Sequence, residues 1–137
     1  MDERGATDAA DVFAAGDAAA AFDPVLRRHV PGGHWESAAR QGAQAGRAML
    51  GLAPTAAPPP SFWSDQYGVR IQQLGHTGLA DAITIDGDPV ARDFTAIYTR
   101  GERPVAALLV GRPHALPEVR QRLVTPDAEP ESTAVAA

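Results

Sequence analysis

Among the residues that could do chemistry, Gly16-Asp17 stands out by position, because it closes the short apolar run Val12-Phe13-Ala14-Ala15. A strand that stops at a glycine lets a ligand approach the backbone, and a carboxylate directly after it can accept hydrogen bonds from ligand hydroxyls. The same dipeptide also closes ordinary turns. A second group is Phe62-Trp63-Ser64-Asp65-Gln66-Tyr67, three aromatics interleaved with polar side chains, where Trp63 is either a core filler or a working surface residue. Other chemistries lack a partner. Ser37 and Ser64 stand without a base motif, and His29, His34, His76 and His114 have no metal-ligand spacing, so hydrolase and metalloenzyme readings fall away. There is no cysteine among the 137 residues. That excludes disulfides, thiolate-bound zinc or iron–sulfur ligation and a dithiol centre, so redox chemistry would need a cofactor.

The elements that must position these residues are legible in outline. Composition is that of an ordinary soluble domain, 45% hydrophobic and 21% charged. The net charge of −5 argues against a nucleic-acid or anionic-membrane partner, since phosphate binding needs concentrated positive charge. No apolar run has membrane-spanning length and no signal-peptide layout opens the chain, so a cytoplasmic location is expected. Residues 18–33, rich in alanine, proline and glycine, read as a loop. A helix follows over 34–50, with Trp35, Ala38, Ala39, Ala45, Met49 and Leu50 as its apolar strip and Gly51 as the stop. Gly42 and Gly46, four apart, weaken it and would let another backbone come close.

Pro58-Pro59-Pro60 then delivers a stiff extended chain into Phe62. Val69 and Ile71 alternate with Arg70 and Gln72, the period of a half-buried strand. Four strands are expected, at roughly 67–74, 81–86, 93–99 and 103–110, the first of them led in by the aromatics. Asp86-Gly87-Asp88-Pro89 is read as the turn after the second, and Gly101 as the pivot of a hairpin between the last two. Residues 115–123 form a short helix with Leu116, Val119 and Leu123 on one face. This is an α+β module, a small antiparallel sheet with flanking helices. About 65 residues is marginal for a lone core, so one sheet face is expected to need a neighbour. The acidic, proline-bearing stretch 126–137 reads as disordered.

The wording of three stretches carries a resemblance. F-W-S-D-Q-Y-G-V-R-I-Q at 62–72 resembles the start of the C-terminal domain in the FAD-dependent ferredoxin reductases that serve Rieske oxygenases and bacterial P450 systems. D-E-R-G-A-T-D-A-A-D-V-F-A-A-G-D at 2–17 is similar to the second flavin fingerprint of the pyridine nucleotide-disulfide oxidoreductase superfamily. H-W-E-S-A-A-R-Q-G at 34–42 is similar to the helix whose N-terminus faces the flavin pyrimidine in that superfamily. The resemblance covers residues 2 to about 124. It implies an FAD site in which Asp17 holds a ribityl hydroxyl with Gly16 giving close approach, His34, Trp35 and Glu36 line the pyrimidine end, and Trp63 lies beside the isoalloxazine. One departure is plain: Gly33, preceded by Gly32, stands where the family usually has a glutamate before the His-Trp pair.

No G-x-G-x-x-G occurs in the chain, so neither dinucleotide pyrophosphate site of such an enzyme is encoded here. The expected organisation is a C-terminal remnant of an FAD-binding α/β domain at 1–52, a proline-rich linker at 53–61, the reductase C-terminal module at 62–125 and a tail at 126–137. The implied function is the C-terminal part of an NAD(P)H:ferredoxin oxidoreductase that passes electrons through FAD to a [2Fe–2S] ferredoxin, inactive without its N-terminal flavin domain. The alternative is a non-catalytic module or subunit that caps a partner flavoprotein. Met1 either is a true start or lies inside the flavin domain.

Overall fold

The computed structural model describes residues 1–56 and 58–124. Two compact units divide between Phe62 and Trp63. Among the described residues no helix is long and apolar enough to cross a membrane.

The first unit opens with a turn in which the Asp2 carboxylate accepts the N–H groups of Arg4 and Ala6. The apolar run at 12–15 makes only an isolated bridge, Phe13 to Ala6, in place of the expected strand, and Val12 is half-exposed. A 3₁₀ turn, Gly16–Ala18, leads into β1 (Ala20–Asp23), which pairs antiparallel with β2 (Arg28–Pro31). The loop expected over 18–33 is therefore a hairpin. Its turn is made by the Asp23 carboxylate, which accepts the N–H groups of Val25 and Leu26, and by Arg27 at φ 53°. Phe22 and His29 meet edge to face across it.

Helix α1 (Trp35–Met49) ends as expected at Gly51. Gly51 (φ 68°) donates to Ala48 O and Leu52 to Arg47 O, the paired bonds of a left-handed C-terminal cap. Its burial differs from the expected strip. Only Ala45 is buried, against Gly5, whereas Trp35, Met49 and Leu50 face outward. A Cβ at Gly42 or Gly46 would meet nothing, so no backbone among the described residues exploits those two glycines.

The five-stranded antiparallel sheet runs in the order β3 (Ser61–Gln66), β4 (Val69–Gly75), β7 (Arg103–Val110), β6 (Asp93–Arg100), β5 (Ala82–Asp88). One strand more is present than expected, because Tyr67-Gly68 (φ 51° and 77°) turn the chain and make 61–75 a hairpin. Two successive positive φ values match the twist of paired strands. The second expected turn also moves: β5 continues through Asp88, and the chain reverses over 89–92. Gly101 (φ 59°) joins β6 to β7 as read from the sequence.

Helix α2 (Leu116–Val124) covers one sheet face. Val119 packs with Leu74, Ala107 and Leu109, and Ile97, Leu116 and Leu123 complete this core. Residues paired directly across the sheet share a face, so Ile83 and Ile85, opposite Tyr98 and Ala96, lie on the other one and are half-exposed. At Gly75 (φ 74°) a Cβ would fall on the carbonyl oxygen of Val105, the residue skipped by the β6–β7 ladder at its bulge. That oxygen accepts the His76 N–H at 3.0 Å. The expected tail at 126–137 lies outside the described residues.

Candidate functional site

In the first unit the structure brings Gly16, Asp17, Gly33 and the start of α1 together. Gly16 has φ 76° and its N–H donates to Gln41 Oε1 at 2.8 Å, tying the turn to the helix. Asp17 Oδ1 accepts the Gly33 N–H at 3.1 Å. Gly33 has φ 93°, a conformation that would strain a glutamate, so the departure from the family pattern suits this loop. A Cβ at Gly32 would sit 3.4 Å from the Gly16 carbonyl oxygen, which shows how closely the two glycine turns approach.

The N-terminus of α1 is open in one specific sense. His34 is the N-cap, yet its side chain makes no capping bond; Ser37 Oγ donates to the His34 carbonyl at 2.8 Å. The N–H groups of a helix's first turn and the positive end of the helix dipole favour a ligand carrying negative charge. The three side chains expected to line a pyrimidine ring behave differently from one another. The His34 ring stacks on Phe62, centroids 4.9 Å apart and 11° from parallel. Glu36 Oε2 accepts the Ser61 hydroxyl at 2.8 Å. Trp35 is 83% exposed. Ser61 and Phe62 were invisible as partners because both contacts join residues at least 25 apart.

This chemistry fits the ribityl and pyrimidine end of FAD. A carboxylate with lone pairs beyond the Gly33 bond can take a hydroxyl, and the helix terminus supplies donors. The pyrophosphate end has no counterpart in a chain without G-x-G-x-x-G. A shallow depression of about 540 Å³ lined by Met1, Asp2, Glu3, Asp8, Phe22 and His29 contains none of these residues.

In the second unit Trp63 lies on β3 and is 55% exposed, so it does not fill the core. The Arg70 guanidinium lies over its ring, 4.7 Å from the centroid. Arg70 is fixed in turn by Asp65: Nε and Nη2 donate to Oδ1 and Oδ2, each at 2.7 Å. The hydrogen bond from Arg70 holds the Asp65 carboxyl below the usual carboxylate range, and Asp65 raises Arg70. Sequence reasoning passed over Arg70 and Asp65. Their approach depends on the Tyr67-Gly68 turn, which folds β4 back along β3. Tyr67 stands at that turn, 94% exposed.

Comparison with known proteins gives the setting. Residues 61–137, more than half of the chain, match the family described as reductase C-terminal. Over 121 residues the chain is 36% identical to the anthranilate 1,2-dioxygenase system ferredoxin–NAD(+) reductase component of Burkholderia cepacia, covering 88% of this chain and 30% of that protein. It is 33% identical to the 3-phenylpropionate/cinnamic acid dioxygenase ferredoxin–NAD(+) reductase component of Photorhabdus laumondii, covering 92% and 32%. The crystal structure of the covalent putidaredoxin reductase–putidaredoxin complex superposes with a TM-score of 0.82 at 27% identity, covering 90% of this chain and 30% of that one. The chain thus spans about a third of the length of the curated relatives it matches. Two relatives that share nearly its whole length are ferredoxin–NAD(+) reductase components, and the chain belongs to the reductase C-terminal family.

Proposed function

We propose that this chain supplies the C-terminal part of an FAD-dependent NAD(P)H:ferredoxin oxidoreductase whose electrons pass to a [2Fe–2S] ferredoxin. The observation that carries the reading is Trp63, an indole left half-exposed on a sheet edge in a chain whose relatives are named for ferredoxin. Exposure alone is ordinary for a single aromatic, but an indole on an exposed edge strand, within the stretch 62–72 that resembles the reductase C-terminal domain, is the kind of side chain that anchors a docked protein.

In this reading Asp17 accepts a ribityl hydroxyl, Gly16 and Gly33 keep side chains out of the way, and the first turn of α1 stabilises negative charge at the pyrimidine end. When bound, FAD would take a hydride from NAD(P)H and release single electrons. His34 and Glu36 contribute through the α1 backbone and by holding Phe62 and Ser61, rather than by turning their side chains to a ligand. Residues 1–52 serve as the flavin-domain portion and 62–125 as the reductase C-terminal module, joined by the proline-rich 53–61.

The test needs the whole site, assembled by fusing the N-terminal two-thirds of a relative to this chain. Trp63→Phe is expected to retain fold and bound flavin and to lower ferredoxin reduction more than ferricyanide reduction. A small acceptor reaches the flavin edge by several routes, whereas a docked protein depends on the surface around it. Equal slowing with both acceptors, or none with either, would contradict the reading.

A further inference from the structure

An exposed indole is free to change rotamer unless something fixes it, and packing does little for a ring that is 55% accessible. Arg70 is placed to do this. Its guanidinium lies within the distance at which a cation is attracted to an indole face, at 4.7 Å from the ring centroid. Arg70 itself cannot swing freely, because two of its donors meet both oxygens of Asp65 in the planar, two-pronged geometry that lysine cannot reproduce. The ion pair has side chains 39% and 52% exposed, so solvent screens what it adds to stability, while its two-pronged geometry fixes where the guanidinium lies.

We propose that Arg70 is a positioning residue for Trp63, held in turn by Asp65, so that the guanidinium covers one face of the indole and the opposite face and edge are presented to the electron acceptor. The proposal rests on the reading of Trp63 as the residue beside the path to ferredoxin. It adds to that reading two residues that act through the indole.

The test has two arms that fail separately. In the first, the full chain carries Trp35→Phe, leaving Trp63 as the sole tryptophan, and time-resolved anisotropy of tryptophan fluorescence measures local motion of the indole. Arg70→Met and Asp65→Asn are each expected to raise the fast-moving fraction by about two- to fivefold, the population change that an exposed cation–π contact commands. Arg70→Lys, which keeps the charge without the planar fork, is expected to change it in the same direction. An unchanged fraction in Arg70→Met, or in Asp65→Asn should the first variant not fold, would overturn the proposal.

In the second arm, the same substitutions are placed in the enzyme completed with a relative's flavin-bearing part, and the ratio of ferredoxin to ferricyanide turnover is read. Both Arg70→Met and Asp65→Asn are expected to lower it. If Arg70 acted only as a surface charge, removing a positive and a negative charge would shift the ferredoxin KM in opposite directions, and that result would overturn positioning. A mobile indole with an unchanged ratio would uphold the positioning and refute the reading of Trp63 on which it rests.

Discussion

The hydrogen bond between Asp65 and Arg70 sets a pH signature. The Arg70 hydrogen bond depresses the Asp65 carboxyl below its ordinary range. A carboxylate depressed in the folded state stabilises the fold fully above its unfolded pKa, and that contribution is lost as pH falls through the folded one. Trp63 emission, isolated by Trp35→Phe, should therefore change on acidification with its midpoint below that of an unpaired carboxylate. A transition centred within the ordinary range would mean that Asp65 does not hold Arg70 in solution. At this scale the sequence was only partly informative. Trp63 could be singled out by its neighbours, but whether it was buried depended on β3 lying at a sheet edge. Arg70 and Asp65 carried no signal, since a charge pair five residues apart in an extended chain does not meet without a turn.

At the scale of elements, β6 and β7 were legible to within a residue, because both are short apolar runs rich in strand-favouring residues and Gly101 marks the turn between them. The β3–β4 turn was hidden by Tyr67, a strand-favouring aromatic that occupies a positive φ. The β1–β2 hairpin was hidden by its alanines and by strands only four residues long. Edge strand β5 shows what a single cation does for an element. Arg112 Nη1 donates to Asp86 Oδ2 at 2.5 Å and its Nε to Asp93 Oδ1, bridging β5 to β6, while Gly87 leaves room for the guanidinium. Arg112→Met should speed amide exchange in 82–88 while exchange in β7, the strand at the centre of the core, stays slow. Equal acceleration in both strands would show that Arg112 supports the whole sheet rather than its edge.

For the molecule as a whole, the family and the α+β class were legible because the aromatic-polar string at 62–72 is specific, whereas the half-site at Asp17 gained its geometry only from the glycines that approach it. Half a dinucleotide site binds weakly, since the pyrophosphate contacts that offset the cost of ordering the ligand have no residues here. The isolated 137-residue chain should therefore quench FAD fluorescence only at concentrations well above micromolar; a yellow protein on purification would contradict this. The central claim, that this chain completes a ferredoxin reductase, is tested most directly by joining it to the N-terminal two-thirds of a relative and measuring NADH-driven reduction of that relative's ferredoxin. The joined protein is expected to reduce ferredoxin, and the N-terminal part alone to do so far more slowly. Equal ferredoxin reduction with and without this chain would contradict it.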